Sequence, residues 1–351
     1  MVNDMQSRVR LMDVMRSSLG MVVPVWYPPH LTRAQVYENL CSTLHDCEHY
    51  LPWGHVALVV DGDARGHAVV QEVQEACRRR HGQAFEVIFG AESRGKGFAV
   101  VRGARWFLEK PALQYLTIRD ADGDHALNDL VGLMRLALAL QASEDTDRVI
   151  VVGRRNQPHR ALGWVRGEFE MLLNRVLVDA VRFALAQRQR VLKTQYVALG
   201  EGTPDLHSGY KVYSRKVCEL MVERTWEVSP WVGPEIYRYG VEAVPFVEGM
   251  MAGAIVGEVT RLTQEPEFSG HGTFARPEAN GSVLLWTFLR LGITPWQAAA
   301  LLDNHLSRLT LWTDSRGRRS LLDLRLYVLN RLSEATQESS FPSEVKTLPY
   351  F

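Results

Sequence analysis

The sequence predicts an α/β protein whose largely parallel central sheet is covered by helices on both faces and is followed by a helical C-terminal extension. Two observations support this fold class. Short apolar runs alternate with helix-length segments as far as residue 152, a pattern typical of parallel strands joined by crossover helices. From about residue 280 onward, all the segments have helical periodicity.

The elements can be assigned in order along the chain. The first five predicted strands are Met21–Trp26, His55–Val60, Phe85–Phe89, Tyr115–Ile118 and Arg148–Val152. The helices between them run from a Thr32–Gln35 capping box to about Tyr50, then over Val69–Arg80, Gly97–Lys110 and Leu127–Gln141. A long helix at Trp164–Gln189 precedes strands at Tyr210–Tyr213, Val241–Phe246 and Glu258–Thr263, and the last helices are Ser282–Leu291, Pro295–Ser307 and Ser320–Ala335. This order predicts a catalytic domain over 20–260 and an extension over 261–351.

Composition and charge narrow the class of protein. The 351 residues are 46% hydrophobic, and 40 basic residues balance 40 acidic ones, so the chain lacks the basic excess of a nucleic-acid or membrane-surface binder. The four cysteines form no C-x-x-C pair, which favours reduced thiols and a cytoplasmic protein. No apolar stretch reaches the roughly 20 residues of a membrane span, and the charged N-terminus is unlike a signal peptide.

Acidic residues follow two of the predicted strands. Asp61 and Asp63 come after the second strand, and the run Asp120-Ala121-Asp122-Gly123-Asp124 comes after the fourth. In parallel sheets, ligands bind beyond the carboxyl ends of the strands. Asp120 and Asp122 are spaced to share one Mg²⁺ or Mn²⁺, and such an ion would neutralise a diphosphate leaving group.

A glycine-rich loop precedes the third crossover helix. In Ser93-Arg94-Gly95-Lys96-Gly97, small residues beside two cations allow close approach to a phosphate or ribose, and Arg94 and Lys96 are the candidate donor-binding residues. The P-loop spacing and the dinucleotide-binding fingerprint are both absent. An EF-hand would need Gly and Glu where His125 and Val131 stand.

The order of these motifs resembles the family-2-type glycosyltransferases of the GT-A fold. The segments VVPVWYPP (22–29), VVDGD (59–63), SRGKGFAV (93–100), TIRDADGD (117–124), VVGRRNQPHR (151–160) and DLHSGYKVYSR (205–215) carry the resemblance. The R-G-K-G form is similar to that of dolichyl-phosphate glucosyltransferases and glucosyl-3-phosphoglycerate synthases. The segment D-x-x-S-G-Y-K is similar to one that shapes the acceptor side in polyprenyl-phosphate sugar transferases.

The resemblance implies roles for matching positions. Pro24 and Tyr27 would line the nucleotide base pocket, and Asp61 would contact the base or ribose. Lys96 would lie near the nucleotide, Asp120 would bind ribose or metal, and Asp122 would bind the metal. In addition, His271 lies between two glycines, where it would complete the metal shell as in some GT-A enzymes.

An inverting transferase also needs a base that takes the proton of the acceptor hydroxyl. The candidates are Glu235, Asp205 and Glu201. Glu235 follows Pro234, so it is equally well interpreted as the start of a helix. Retaining relatives need no such base, so the sequence leaves the stereochemistry open.

These observations predict an enzyme that transfers a sugar from a UDP- or GDP-sugar donor to an acceptor hydroxyl. Because lipid-acceptor relatives carry membrane segments that this chain lacks, we expect a small-molecule or glycan acceptor. Two alternatives remain open: a non-catalytic nucleotide- or sugar-binding regulator, and a sugar-1-phosphate nucleotidyltransferase. The nucleotidyltransferase would need a G-x-G-x-R loop after the first strand, where this chain has Tyr27-Pro28-Pro29. Whether the chain forms a homo-oligomer is also left open.

Overall fold

The computed structural model describes residues 2–156, 163–197, 202–223, 231–262, 277–338 and 341–345, with backbone alone for 2–9. The strands are β1 Leu19–Val25, β2 Val56–Asp61, β3 Glu86–Gly90, β4 Tyr115–Ile118, β5 Val149–Arg154, β6 Lys211–Ser214 and β7 Ile255–Thr260. The helices are α1 Val2–Ser18, α2 Arg33–Leu44, α3 Cys47–Tyr50, α4 Ala64–His81, α5 Lys96–Leu108, α6 Leu127–Ser143, α7 Trp164–Ala186, α8 Arg215–Glu223, α9 Ile236–Tyr239, α10 Val244–Met251, α11 Pro277–Leu291, α12 Pro295–Leu306 and α13 Ser315–Thr336. Single 3₁₀ turns lie at Trp53–His55 and Thr310–Thr313.

The strands form one seven-stranded sheet in the order β3-β2-β1-β4-β6-β5-β7. Every neighbouring pair is parallel except those of β6, which runs antiparallel to both β4 and β5. The predicted α/β class with a mostly parallel sheet is therefore confirmed. Because β6 is reversed, its first residue, Lys211, lies at the edge where β1 to β4 end, in register with Ile118.

Side chains of β1 alternate between two hydrophobic cores, as expected for a strand covered on both faces. Val22 belongs to the core that also contains residues of α5, α7 and the C-terminal helices. Met21 and Val23 belong to the core that contains residues of α2, α4 and α6. Pro24 lies two residues beyond the last β1–β4 pairing, Val22 with Ile118, so its missing N–H falls on the side where β4 has already ended.

Two predicted elements need correction, one in its extent and one in its type. The predicted helix from Thr32 to Tyr50 does begin with the Thr32–Gln35 capping box, but it is broken at Asp46, whose φ of 61° starts the short helix α3. The predicted strand Val241–Phe246 is wrong, because Pro245 opens the helix Val244–Met251. Every residue of that helix is buried, and a helix buried on all sides lacks the polar face that would identify it.

The C-terminal helices α11, α12 and α13 confirm the predicted helical extension. They share one hydrophobic core with the sheet, through residues such as Leu284 and Leu329 packed in the same cluster as Leu172 of α7. A bidentate ion pair also joins Arg325 to Asp303, at 2.7 and 2.9 Å. The division into domains 20–260 and 261–351 stays a prediction.

Two further expectations concern the membrane and the cysteines. Among the described residues, none of the helices combines the length and apolar character that a bilayer crossing requires. The four cysteines are free thiols, and Cys47, Cys77 and Cys218 are buried.

Close packing of α5 on β1 depends on a glycine. A Cβ at Gly103 would lie 2.4 Å from Cγ1 of the buried Val22, whereas a Cβ at Gly132 of α6 would meet its nearest neighbour at an ordinary 3.4 Å. We expect Gly103→Ala to lower the free energy of unfolding by about 1–3 kcal/mol through overpacking. Gly132→Ala, also within a helix, should raise it by about 0.5–1 kcal/mol. Urea denaturation of both variants checks this, and equal effects would contradict the close approach of α5.

Candidate functional site

The carboxyl ends of β1, β2 and β4 bring the predicted donor-binding residues to one edge of the sheet. Tyr27 follows β1, Asp61 is the last residue of β2, and Asp120 lies two residues beyond β4. The loop between β3 and α5 carries Arg94 and leads into Lys96, the first residue of α5. The reversed β6 adds Lys211 to the same edge.

Asp61 fastens the glycine-rich loop to the end of β2. Its carboxylate accepts hydrogen bonds from the Ser93 hydroxyl at 3.0 Å, the Arg94 N–H at 2.9 Å and the Gly95 N–H at 2.8 Å. The Asp61 residue is only 5% exposed. In this structure the carboxylate therefore positions the loop, and a contact to a base or ribose remains a prediction.

The loop also depends on glycine conformations. Gly62 has φ of +66°, and a Cβ there would lie 1.9 Å from the backbone nitrogen of Ser93. Gly95 has φ of +108° and packs against the backbone of Tyr237 in α9. Arg94 is exposed, and its guanidinium lies over the Phe98 ring at 4.1 Å, so a cation faces solvent at the edge of the site.

Tyr27 and Asp63 connect the ends of β1, β2 and β4. Asp63 caps α4 by accepting the Gly66 N–H at 2.9 Å, and its other oxygen accepts the Tyr27 N–H at 3.1 Å. The Tyr27 hydroxyl donates to the carbonyl of Ala121 at 2.6 Å. Burial raises the pKa of Tyr27, and the charges of Asp122 and Asp63 raise it further, so the phenol stays protonated and remains a donor.

Lys96 lies between two carboxylates from distant parts of the chain. Its Nζ is 2.8 Å from Asp120 Oδ1 and 2.8 Å from Glu242 Oε1. Burial alone would lower the pKa of Lys96, but the two carboxylates outweigh it and raise the pKa. Burial raises the pKa of Asp120, yet the neighbouring Lys96 outweighs it and lowers that pKa to about 2. Glu242 also has a lowered pKa, because Lys96 and Lys211 outweigh its burial.

The turn after β4 holds three aspartates in different environments. Asp122 is exposed, and its Oδ1 accepts the Asp124 N–H at 3.4 Å. The side chains of Asp124 and His125 are only 5% and 1% exposed. Carboxylate oxygens of Asp120 and Asp124 and a ring nitrogen of His125 lie within 4.8 Å of one another, a spacing that by itself would suit one divalent ion.

His125 is held as a neutral ring. The Asp120 N–H donates to its Nδ1 at 3.2 Å, and the ring stacks on Tyr210 with centroids 4.6 Å apart. Burial lowers the pKa of His125 well below its ordinary value, although Asp120 opposes the shift. A neutral ring that accepts at Nδ1 carries its proton on Nε2. Neither nitrogen then has a free lone pair for a metal in this arrangement.

The predicted bases have other partners. Arg155 donates to the Asp205 carboxylate from Nε at 2.8 Å and from its terminal nitrogen at 2.6 Å. Burial raises the pKa of Asp205, but Arg155 outweighs it and lowers the pKa, which makes Asp205 a weak base. Glu235 precedes α9, and its carbonyl accepts the Arg238 N–H at 2.9 Å, as in a plain helix start. The predicted metal ligand His271 and the candidate base Glu201 lie outside the described residues.

A cavity of about 220 Å³ with a mixed polar and apolar lining lies next to Glu242, between α7, the segment before β6, α9 and α11. Its polar lining includes Arg166, Glu170, His207, Arg238, Glu242 and Asn280. The motif DLHSGYK thus reaches this cavity through His207, whereas Gly209 of the same motif lies close to Asp120.

Glu242, His207 and Lys211 are site residues that the sequence did not single out. Glu242 fell within the segment wrongly predicted as a strand, so its position relative to the sheet edge was not foreseen. His207 and Lys211 do lie within the DLHSGYK motif, which was a usable signal. Lys211 is 1% exposed, and burial lowers its pKa to about 8.

Comparison with known proteins gives little at the sequence level. No protein-family model matches the chain, and no curated protein matches it. Among solved structures, the chain is similar to a mannosyltransferase, PcManGT from Pyrobaculum calidifontis, in complex with GDP-Man and Mn²⁺. The two share 13% identity over 95% of each chain, with a TM-score of 0.48. This likeness is too distant to transfer a ligand or the role of any residue.

The contact between Gly62 and the loop held by Asp61 can be tested by comparing alanine substitutions at two glycines. Gly62→Ala and Gly82→Ala both place a side chain at positive φ, 66° and 70°, but a Cβ at Gly82 meets nothing within 4 Å. We expect Gly82→Ala to cost about 1–2 kcal/mol of unfolding free energy from the backbone conformation alone. Gly62→Ala must also displace the backbone at Ser93, so it should cost more. Thermal and urea unfolding of both variants measures the difference, and equal losses would contradict the observed loop contact.

The position of Lys96 between Asp120 and Glu242 leads to a second prediction. Lys96→Met leaves Asp120 and Glu242 facing each other without their cation, and removal of one partner from a buried pair costs about 3–5 kcal/mol. Because the three side chains are 17–29% exposed, we expect a loss of stability near the lower end of that range. Adding Glu242→Gln should restore part of it in a double-mutant cycle.

A surface lysine provides the control for this cycle. Lys193 pairs with Glu144 at 2.5 Å, and its side chain is 52% exposed. Lys193→Met should leave the unfolding transition nearly unchanged, because exposed ion pairs contribute little. If Lys96→Met left the unfolding transition as little changed as Lys193→Met, the interaction of Lys96 with the two carboxylates would contribute nothing to the free energy of unfolding.

Proposed function

We propose that this chain is a metal-dependent glycosyltransferase that moves a sugar from a UDP- or GDP-sugar to an acceptor hydroxyl. The observation that carries the proposal is the contact between the two sequence motifs, Lys96 Nζ to Asp120 Oδ1 at 2.8 Å. It supports a single site in which the cationic loop and the acidic turn act together. A diphosphate needs both positive groups and a divalent cation, and this edge of the sheet offers the residues for both.

The acidic turn suits Mg²⁺ or Mn²⁺, because carboxylate oxygens are the ligands these ions prefer. We assign the metal chiefly to Asp122, with Asp120 beside it, because Asp122 is the exposed carboxylate of the turn. Asp124 and His125 are too deeply buried to share an ion with a diphosphate that arrives from solvent. When bound, the ion would neutralise charge that develops on the leaving diphosphate. His271 remains a proposed additional ligand.

The remaining residues of the edge would bind and orient the donor. Pro24 and Tyr27 lie at the end of β1, where we propose the base binds. Asp61 acts through the loop that it holds, so that Arg94 faces the phosphates. Lys96 keeps Asp120 ionised and oriented, and its positive charge also favours the diphosphate.

For the acceptor side, we propose that Glu242 lines the acceptor pocket rather than acting as a base, because Lys96 and Lys211 lower its pKa as Arg155 lowers that of Asp205. Glu242 lines the cavity next to Lys96, whereas Asp205 is held by Arg155 and we assign it a structural role. Glu235 lies one short helix before Glu242 and remains a candidate base. An acceptor hydroxyl in the cavity would approach the donor sugar from the Glu242 side.

Donor binding and turnover test this proposal. Thermal shift with UDP-glucose and GDP-mannose, with and without Mn²⁺, should show a stabilisation that requires both components. Slow release of UDP or GDP from the stabilising donor should follow, because water can replace the acceptor. A donor-dependent shift without any nucleotide release would favour the non-catalytic regulator, and release of pyrophosphate from a nucleoside triphosphate and a sugar phosphate would favour the nucleotidyltransferase.

The metal assignment makes its own prediction. Asp122→Asn should abolish the Mn²⁺-dependent part of the thermal shift, because it removes the exposed carboxylate. Asp124→Asn should retain it, and so should Asp323→Asn, an exposed aspartate on α13 that serves as the surface control. Loss of the metal response in Asp124→Asn but not in Asp122→Asn would move the ion to the group formed by Asp120, Asp124 and His125.

A further inference from the structure

His207 lines the cavity beside Glu242, and one of its ring nitrogens has an unused lone pair. His207 Nδ1 lies 2.6 Å from the Asn174 side-chain oxygen. An amide oxygen only accepts hydrogen bonds, so Nδ1 carries the proton and Nε2 is the acceptor. Nε2 is buried and has no hydrogen-bond partner within the described ranges. A buried acceptor left unsatisfied costs about 1–3 kcal/mol, and a ligand hydroxyl would remove that cost.

The charges that line the cavity balance. Arg166 lies 2.8 Å from Glu170, which also lies 2.7 Å from Arg155. Glu242 shares the cation of Lys96 with Asp120, and Lys96 Nζ lies 2.8 Å from each carboxylate. Among the described residues of the lining, the two arginines and two glutamates sum to zero. A ligand with a phosphate or carboxylate would unbalance this arrangement, so the lining favours an uncharged molecule.

Size and surface also limit the ligand. The cavity of about 220 Å³ corresponds to roughly seven water molecules at about 30 Å³ each. Its lining mixes the polar groups with Leu173, Val283 and the ring of Tyr239. Polyols and single sugars present hydroxyl edges and apolar C–H faces, which match such a mixed surface.

We propose that this cavity binds a small uncharged polyol or a single sugar unit, with one hydroxyl donating its hydrogen bond to His207 Nε2. The inference rests on the proposed function, in which this molecule is the acceptor. The hydroxyl proton passes to Nε2 as the oxygen forms its bond to the anomeric carbon of the donor. The bond from that carbon to the diphosphate breaks, and its electron pair leaves with the nucleoside diphosphate. The imidazolium then releases the proton to water.

The environment of the ring agrees with a neutral histidine. Burial lowers the pKa of His207, and Arg155 and Lys211 act in the same direction, while Glu170 and Glu242 oppose them. The ring is therefore unprotonated at neutral pH and available as an acceptor. Transfer should fall only on the acid side of the ordinary histidine pKa, and a variant with an amide at this position should lose that acid limb.

Two substitutions of His207 distinguish the role of Nδ1 from that of Nε2. His207→Asn keeps an N–H near Nδ1 for Asn174 and removes the acceptor at Nε2, whereas His207→Gln places an amide group near Nε2. Binding of glycerol, glucose and myo-inositol is measured by saturation-transfer NMR, with glycerol 3-phosphate and glycerate as anionic counterparts. At least one neutral polyol should bind the wild-type chain, and its Kd should rise at least tenfold in His207→Asn and less in His207→Gln.

Outcomes that overturn the inference are distinct from failure of the proposed function. Unchanged polyol binding in His207→Asn, tighter binding of the anions than of their neutral counterparts, or no polyol binding with or without UDP or GDP and Mn²⁺ would each refute the cavity assignment. The donor-dependent thermal shift is measured on the same variants and should persist in His207→Asn. If the wild-type chain showed no donor-dependent thermal shift but still bound a polyol in a His207-dependent way, the proposed glycosyltransferase function would be refuted. The assignment of the cavity as a polyol site would remain.

Discussion

The interaction on which the site depends is the cation of Lys96 between the carboxylates of Asp120 and Glu242. These residues come from the start of a helix, the turn after a strand and a loop more than a hundred positions later. A buried ion pair is weak evidence for stability, because desolvation offsets much of its attraction. The main effect of the Lys96 ion pairs is on the charge and orientation of the two carboxylates. Lys96 keeps two carboxylates ionised and oriented at the edge of the sheet where we propose that a diphosphate and its cation bind.

Asp61 shows that an acidic residue at the end of a strand can have a structural role, because its carboxylate holds a neighbouring loop in place. Its carboxylate satisfies two backbone N–H groups of a loop that has no regular secondary structure, and such groups are costly when buried without partners. Gly62 permits the close crossing that makes these bonds. The outcome is a loop fixed to the end of β2, with Arg94 left exposed to solvent.

The sequence allowed prediction of those features that depend on local patterns. Apolar runs located the strands of the sheet, and the Thr32 capping box located the start of α2. The edge that gathers Asp61, Lys96 and Asp120 followed from the parallel order alone. What depends on long-range packing was not predictable: the helix Val244–Met251 has no polar face, so its pattern resembled a strand, and Glu242 was misplaced with it. Local patterns also carry no information on pairings such as Arg155 with Asp205, which decide whether a carboxylate is free to act as a base.

The position of Glu242 connects the C-terminal helices to the candidate site. Glu242 lies two residues before α10, and α10 is fastened to α11 by Glu248, which is 3% exposed and accepts from Arg290 at 2.8 Å. The same α11 contributes Asn280 to the cavity wall. A shift of α11 would therefore displace both the wall of the cavity and the segment that presents Glu242 to Lys96. On this reasoning the extension sets the distance between the proposed acceptor cavity and the donor edge, so a chain that ended after β7 would lack part of the acceptor site while retaining the strand ends that hold the aspartates.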